Sequence, residues 1–86
     1  MNAKRILYTT HARKAIRARH ITRQDIRWLL SKGIREVIPT SGPSTYWGCR
    51  GTIGKRELHV VFIEGATSQL IVTVEVLGDE GDEVYD

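Results

Sequence analysis

Residues 56–77 read RELHVVFIEGATSQLIVTVEVL, and this stretch decides the predicted fold. Two runs rich in Val, Ile and Leu, Arg56 to Ile63 and Gln69 to Leu77, are typical of β-strands. The connection between them, Glu64 to Ser68, is short enough for an antiparallel hairpin. The sequence therefore predicts that an antiparallel sheet forms the centre of the fold.

The alternation along this hairpin predicts which side chains share a face of the sheet. If Ile63 pairs with Gln69, His59 lies directly opposite Thr73, and Glu75 is diagonal to His59. These three polar residues then lie on the more open face, where they would suit RNA, although a lone strand histidine is equally typical of a tolerated surface residue. The residues predicted to face the helices are Leu58, Val60, Phe62, Val72, Val74 and Val76.

Two helices are predicted before the hairpin. A threonine at position 9 or 10 caps the first, which covers about His11 to Arg19. The second begins after Thr22, where Asp25 completes a capping box, and it ends at Gly33.

Shorter β-prone runs flank the helices, and together they predict the fold class. Arg5 to Tyr8 and Ile34 to Ile38 are candidate strands, and Thr45 to Arg50 is extended. We predict one α+β domain over residues 1–77, with the order β-α-α-β-β-β and two helices packed on one face of a twisted antiparallel sheet. Residues 78–86 form an acidic tail, predicted to be flexible or to fold back on the basic body.

Charge is segregated along the chain. Residues 1–35 carry ten Lys or Arg against one acid, Asp25, a net charge of +9, whereas residues 78–86 carry five acids and no base. A cationic body of this kind attracts polyanions, and RNA is the predicted partner. The alternative is a solvated, self-repelling helix surface.

Composition excludes several other classes of protein. The single cysteine, Cys49, excludes an internal disulfide and fits a reducing compartment. No signal-peptide stretch and no membrane-spanning apolar run is visible, so we predict a soluble, cytoplasmic protein without a membrane partner. The three histidines are too scattered for a zinc site, and we predict no metal and no cofactor.

One ordered set of short motifs resembles a known group. Thr10-His11-Ala12 is followed by Arg19-His20-Ile21-Thr22, then Asp25-Ile26, and near the end Ile71-Val72-Thr73-Val74. This order resembles small uncharacterised domains that are similar to the RelE/BrnT-like toxin superfamily, over about residues 5 to 77. The resemblance implies a RelE-like fold and a ribonuclease of a toxin–antitoxin pair, with a cognate antitoxin as a protein partner.

The candidate catalytic residues follow from the needs of metal-independent RNA cleavage, which are a base, an acid and cations at the phosphate. Histidine suits proton transfer because its unperturbed pKa is about 6.5. His11 is the predicted base, and His59 or Tyr46 is the predicted acid. By position, His11, Arg19 and Thr73 match residues typical of the group that the sequence resembles.

Contacts to the nucleic acid are predicted from outward-facing residues of the helices and from the sheet. Arg19 instead falls on the apolar stripe of the first helix, where a salt bridge, a cap on helix-end carbonyls or a bound phosphate would satisfy it. Alternatives to a ribonuclease are a non-catalytic nucleic-acid-binding module and a protein-interaction domain anchored by Trp28; a homodimer is also predicted. The predicted nucleic-acid-binding residues are Arg13, Arg17, Arg23, Arg27, Arg50 and Trp28.

Overall fold

The computed structural model describes residues 4–79 of the 86-residue chain. Two helices follow the first strand, and four strands follow the helices. The elements in chain order are β1 (Arg5–Tyr8), α1 (Thr10–Ala18), α2 (Arg23–Lys32), β2 (Ile34–Ile38), β3 (Tyr46–Ile53), β4 (Arg56–Glu64) and β5 (Ser68–Asp79).

The predicted β-α-α-β-β-β order and the purely antiparallel sheet are both wrong. The structure has five strands in the order β1-β5-β4-β3-β2, with β1 parallel to β5 and the other pairs antiparallel. The β2, β3, β4 and β5 strands form a meander, which local turn signals predict. The β1–β5 pair joins Arg5 to Ser68, and no local sequence signal marks a contact between such distant residues.

Local signals set the two helices as predicted, within one residue. Thr9 caps α1 by accepting a hydrogen bond from the Ala12 amide, at 3.0 Å. Thr22 and Asp25 form the predicted capping box of α2, with both bonds at 3.0 Å. The α2 helix ends at Lys32, before Gly33, as the sequence predicts.

The hydrophobic core lies between the helices and one face of the sheet. Both helices bury an apolar stripe, and β4 and β5 supply the facing side chains. Within residues 4–79 no helix covers the opposite face of the sheet, where the residues are half-buried or exposed except for Gly48, which lies under the His59 ring. The core residues are Ala12, Ile21, Ile26, Leu29, Leu30, Cys49, Leu58, Val60, Phe62, Ile71 and Val74.

The predicted hairpin register is wrong in two places, because Ile63 pairs with Leu70 and not with Gln69, and because β5 has a bulge at Val72. Phe62 pairs with Ile71, but its neighbour Val61 pairs with Thr73, so β5 carries one extra residue. Ile71 and Val74 therefore both point into the core, and Val72, predicted to face the helices, does not belong to the buried core. The one-residue shift at the turn and the extra residue of the bulge together place His59 opposite Glu75 and not opposite Thr73.

Two further observations concern the predicted end of the domain and membrane-spanning helices. Strand β5 continues to Asp79, two residues beyond the predicted domain end at position 77. The rest of the predicted acidic tail, residues 80–86, lies outside the described residues. No helix within residues 4–79 is long and apolar enough to cross a membrane.

Candidate functional site

His11 lies where strand β1 gives way to helix α1. The last β1–β5 pair joins Tyr8 to Ile71, after which Thr9 donates a backbone bond to Ile71 and a hydroxyl bond to the Val72 carbonyl. These two bonds hold the start of α1 against β5. His11, in the first turn, thereby comes within hydrogen-bond distance of Thr73, with Nε2 3.2 Å from Oγ1.

His59 lies on the open face of the sheet, between two carboxylates. Its Nδ1 is 3.5 Å from Glu75 Oε1, and its Nε2 is 4.0 Å from Glu36 Oε2. The imidazole rests over Gly48, where a Cβ would lie 2.6 Å from Nε2. Gly48 thus makes room for the ring, and Nε2 is buried without a hydrogen-bond partner among the described residues.

These two contacts lie side by side on β5. Thr73 and Glu75 are two residues apart on one strand face, a spacing of about 7 Å. Arg50 faces His59 across the β3–β4 pair. We call His11, Thr73, Glu75, His59 and Arg50 the histidine cluster. It combines two imidazoles, a carboxylate and a guanidinium, which are the groups that proton transfer next to a phosphate requires.

Two of the predicted catalytic residues lie away from this cluster. Arg19 is the exposed C-cap of α1, eight residues and about 12 Å of helix beyond His11. Its backbone carbonyl, not its side chain, has the partner, which is the guanidinium of Arg56 at 2.6 Å. Tyr46 shares the open face but is four residues from Arg50 on β3, about 13 Å away.

The outer surface of the helix layer carries most of the predicted nucleic-acid-binding residues. Arg13, Arg17 and Arg23 line one small cleft of about 140 Å³ together with Tyr8 and Ile16. The Arg23 guanidinium lies 5.2 Å from the centre of the Tyr8 ring, a cation–π geometry. We call Arg13, Arg17, Arg23 and Arg27 the basic helix side.

The Tyr8 hydroxyl is affected by the positive charge of two of these arginines. Burial raises the pKa of Tyr8 above its ordinary value of 10.0, and the charges of Arg23 and Arg27 partly offset that rise. Arg27 follows Arg23 by four residues on α2 and so lies on the same side of that helix, which extends the basic surface along α2.

Carboxylates neutralise little of the positive charge. Of the thirteen Lys and Arg residues of the chain, only Lys4 and Arg35 form ion pairs within residues 4–79, and both pair with Glu64. All four arginines of the basic helix side are exposed. Unpaired surface guanidiniums are free to bind phosphate oxygens.

Trp28 and Arg50 lie apart from the basic helix side. Trp28 is 44% exposed, as predicted, and lines a separate cleft with Gln24, Asp25 and the β3–β4 turn. Arg50 belongs to the open face, next to His59. The predicted nucleic-acid-binding set thus divides among three surfaces, of which only the helix side holds several arginines together.

Thiol chemistry would depend on Cys49, and metal chemistry on a cluster of His, Cys, Asp or Glu. Cys49 is fully buried, its thiol donates to the Leu29 carbonyl at 2.8 Å, and burial raises its pKa. A buried, protonated thiol is a poor nucleophile. No group of three or more His, Cys, Asp or Glu within residues 4–79 is arranged to hold a metal ion.

Sequence reasoning missed Glu75 as a direct partner of His59, because neither the pairing of Ile63 with Leu70 nor the bulge at Val72 leaves a pattern in the sequence. It also missed Gly48, whose lack of a side chain admits the His59 ring. A glycine inside an aromatic β-prone run is a usable signal, since glycine weakens a strand unless something approaches closely.

A comparison with family models assigns the chain to a family. Residues 8–76 match the domain of unknown function (DUF4258), and the chain belongs to that family. No curated protein and no solved structure matches the chain. The family description carries no activity, so the resemblance to RelE/BrnT-like toxins stays a prediction.

Proposed function

For this member of the DUF4258 family, we propose that the protein binds single-stranded RNA on its basic helix side and cleaves it without a metal ion. The observation that carries the proposal is the concentration on α1 and α2 of arginines that have no ion pair within the described part of the chain. Phosphate binding releases counterions from the nucleic acid, so such a surface gains affinity from charge alone. Tyr8, beside Arg23, adds an aromatic group at the same surface.

The cleavage step draws on the histidine cluster. His11 would accept the proton of the RNA 2′-hydroxyl, whose oxygen attacks the adjacent phosphorus. The phosphorus–O5′ bond breaks, and His59 would protonate the leaving oxygen from Nδ1, since Nε2 is buried over Gly48; this gives a 2′,3′-cyclic phosphate and a 5′-hydroxyl end. Arg50 would stabilise the charge on the phosphate in the transition state.

The hydrogen bond between His11 and Thr73 is the observation that favours chemistry over binding alone. A hydroxyl at 3.2 Å orients the imidazole of an otherwise exposed histidine. Glu75, 3.5 Å from His59, gives the second imidazole an orienting carboxylate. A toxin of this kind would act in a reducing compartment such as the cytoplasm, opposed by a cognate antitoxin.

The binding half of the proposal is tested with a fluorescein-labelled single-stranded RNA in EDTA, by anisotropy at several salt concentrations. The Arg17→Gln/Arg23→Gln variant should bind more weakly than the wild type. Each lost phosphate contact should also reduce the slope of log affinity against log salt by about 0.7. A matched control is Lys32→Gln/Lys55→Gln. It removes the same charge from residues that belong neither to the basic helix side nor to the histidine cluster.

The cleavage half is tested on the same RNA, separated on a denaturing gel. Products ending in a 2′,3′-cyclic phosphate support the proposal. Binding without products leaves a non-catalytic RNA-binding module. Equal loss of affinity in the two double variants, or no binding at all, would refute the role of the basic helix side.

A further inference from the structure

A third cleft lies at the end of the sheet where β1 and β5 begin. It holds about 810 Å³, within the range of small-molecule sites, between the first residues of β1, the last turns of α2 and the start of β3. We call it the tryptophan cleft. Its lining residues are Lys4, Arg5, Ile6, Arg27, Leu30, Ser31, Arg35, Trp47, Glu64 and Gln69.

Glu64 organises the charge of this cleft. Its carboxylate accepts hydrogen bonds from Lys4, from Arg35 at 3.0 Å and from Gln69 at 3.3 Å. Burial acts to raise the pKa of Glu64, but these bonds outweigh it and lower the pKa below its ordinary value. Glu64 is therefore ionised at neutral pH and neutralised by its own partners.

Two guanidiniums of the cleft have no such partner. Arg5 and Arg27 are exposed and form no ion pair with any residue between 4 and 79. They stand on different elements, β1 and α2, at the walls of the same cleft. Two guanidiniums that line one cleft without such an ion pair suit a phosphate group.

The remaining lining is apolar and aromatic. Trp47 is half-buried on the helix-covered face of the sheet, where it pairs with Phe62, and Ile6 and Leu30 complete the apolar wall. In proteins that bind single-stranded nucleic acids, bases stack on aromatic side chains such as this indole, and nearby cationic groups bind the phosphates.

We propose that the tryptophan cleft holds one nucleotide, with its base against Trp47 and its phosphate on Arg5 and Arg27. This inference rests on the proposed RNA binding and names the subsite that takes an unstacked base. Arg27 belongs both to this cleft and to the basic helix side. A strand bound along α1 and α2 would therefore continue into the cleft. The same chemistry would admit a free mononucleotide.

The test uses Trp47 as a reporter. In the Trp28→Phe variant, Trp47 is the single tryptophan of the chain. Three probes are titrated in EDTA while its emission is recorded, namely uridine 5′-monophosphate, pentauridylate and an abasic ribose-phosphate pentamer. We expect saturable quenching by the first two and none by the abasic pentamer, which carries the phosphates without a base.

Variants then assign the contacts. Trp47→Ala, in the background that retains Trp28, should weaken pentauridylate binding by roughly 5- to 150-fold, the range measured for one stacked base. Because Trp47 also packs against the core, Arg5→Gln/Arg27→Gln provides a second variant that leaves the core intact. It should weaken binding of uridine 5′-monophosphate, and Lys32→Gln/Lys55→Gln should not.

The outcomes separate this inference from the proposed function. Pentauridylate that binds by anisotropy but leaves Trp47 emission unchanged overturns the cleft and leaves RNA binding standing. Equal quenching by the abasic pentamer also overturns it. Quenching by uridine 5′-monophosphate without any binding of pentauridylate supports the cleft as a site for free nucleotides and refutes the RNA function.

Discussion

The two faces of the sheet differ in what covers them and in how their charges are arranged. The helix-covered face is closed by a fully buried core, and the helices above it expose arginines that form no ion pair with any carboxylate between residues 4 and 79. On the open face, by contrast, His59 lies between Glu36 and Glu75, and Arg50 faces it from β3. The difference teaches that the exposed positive charge and the groups suited to proton transfer lie on separate parts of one small domain, so the proposed binding and the proposed cleavage can be tested separately.

His11 connects these two parts, and its removal has the largest expected effect. His11→Gln should lower RNA cleavage by roughly 100- to 10,000-fold, the range for loss of a general base, because glutamine cannot accept the proton. Affinity for RNA should remain, since the basic helix side is untouched. Initial rates on a gel, with anisotropy in parallel, measure both quantities.

His20→Asn is the matched control for this variant. His20 is an exposed histidine in the turn after α1 with φ of 56°, a conformation that asparagine tolerates. The His20→Asn variant should cleave RNA at the same rate as the wild type. If His11→Gln cleaves RNA as fast as His20→Asn, His11 has no part in the chemistry.

The packing difference between the two faces predicts the next largest effect. Phe62→Ala empties a fully buried site and should lower the free energy of unfolding by about 3–5 kcal/mol. Ile34→Ala, at a position 66% exposed on the open face, should change it by less than about 0.5 kcal/mol. Urea denaturation followed by circular dichroism compares the two, and equal losses would contradict the assignment of the core to the helix side.

Glu64 gives the smallest expected effect, and it depends on pH. Since the folded state lowers the pKa of Glu64 below 4.5, its ionised form stabilises the fold above that pH, and this contribution is lost as pH falls through the lowered pKa. Glu64→Gln should therefore be less stable than the wild type at pH 7, and the difference should shrink at pH 3. Thermal melts at the two pH values measure it; a difference that grows toward pH 3 has the wrong sign.

Features set by neighbouring residues could be predicted from the sequence. The capping box of α2 and the end of that helix at Gly33 depend on contacts within a few residues, and the prediction was confirmed. Arg19 illustrates the limit of such reasoning. Its predicted inward direction assumed that α1 continues through it, whereas the helix ends at Ala18 and Arg56 caps the carbonyls that follow.

Features set by distant residues could not be predicted. The parallel pairing of β1 with β5 brings together strands from the two ends of the chain. The bulge at Val72 shifts one strand by one residue, and only the packing of Ile71 and Val74 on the helices fixes it. The candidate site depended on both, together with the pairing of Ile63 with Leu70, because these features place His11 at Thr73 and His59 at Glu75.

Mapping the RNA on the protein tests the central claim most directly. The amide resonances of ¹⁵N-labelled protein are followed while pentauridylate is added in EDTA at low salt. We expect the largest chemical-shift changes between residues 13 and 27, with smaller changes at His11 and Thr73. Shifts confined to β2, at Ile34, Glu36 and Ile38, with none on α1 or α2, would contradict it.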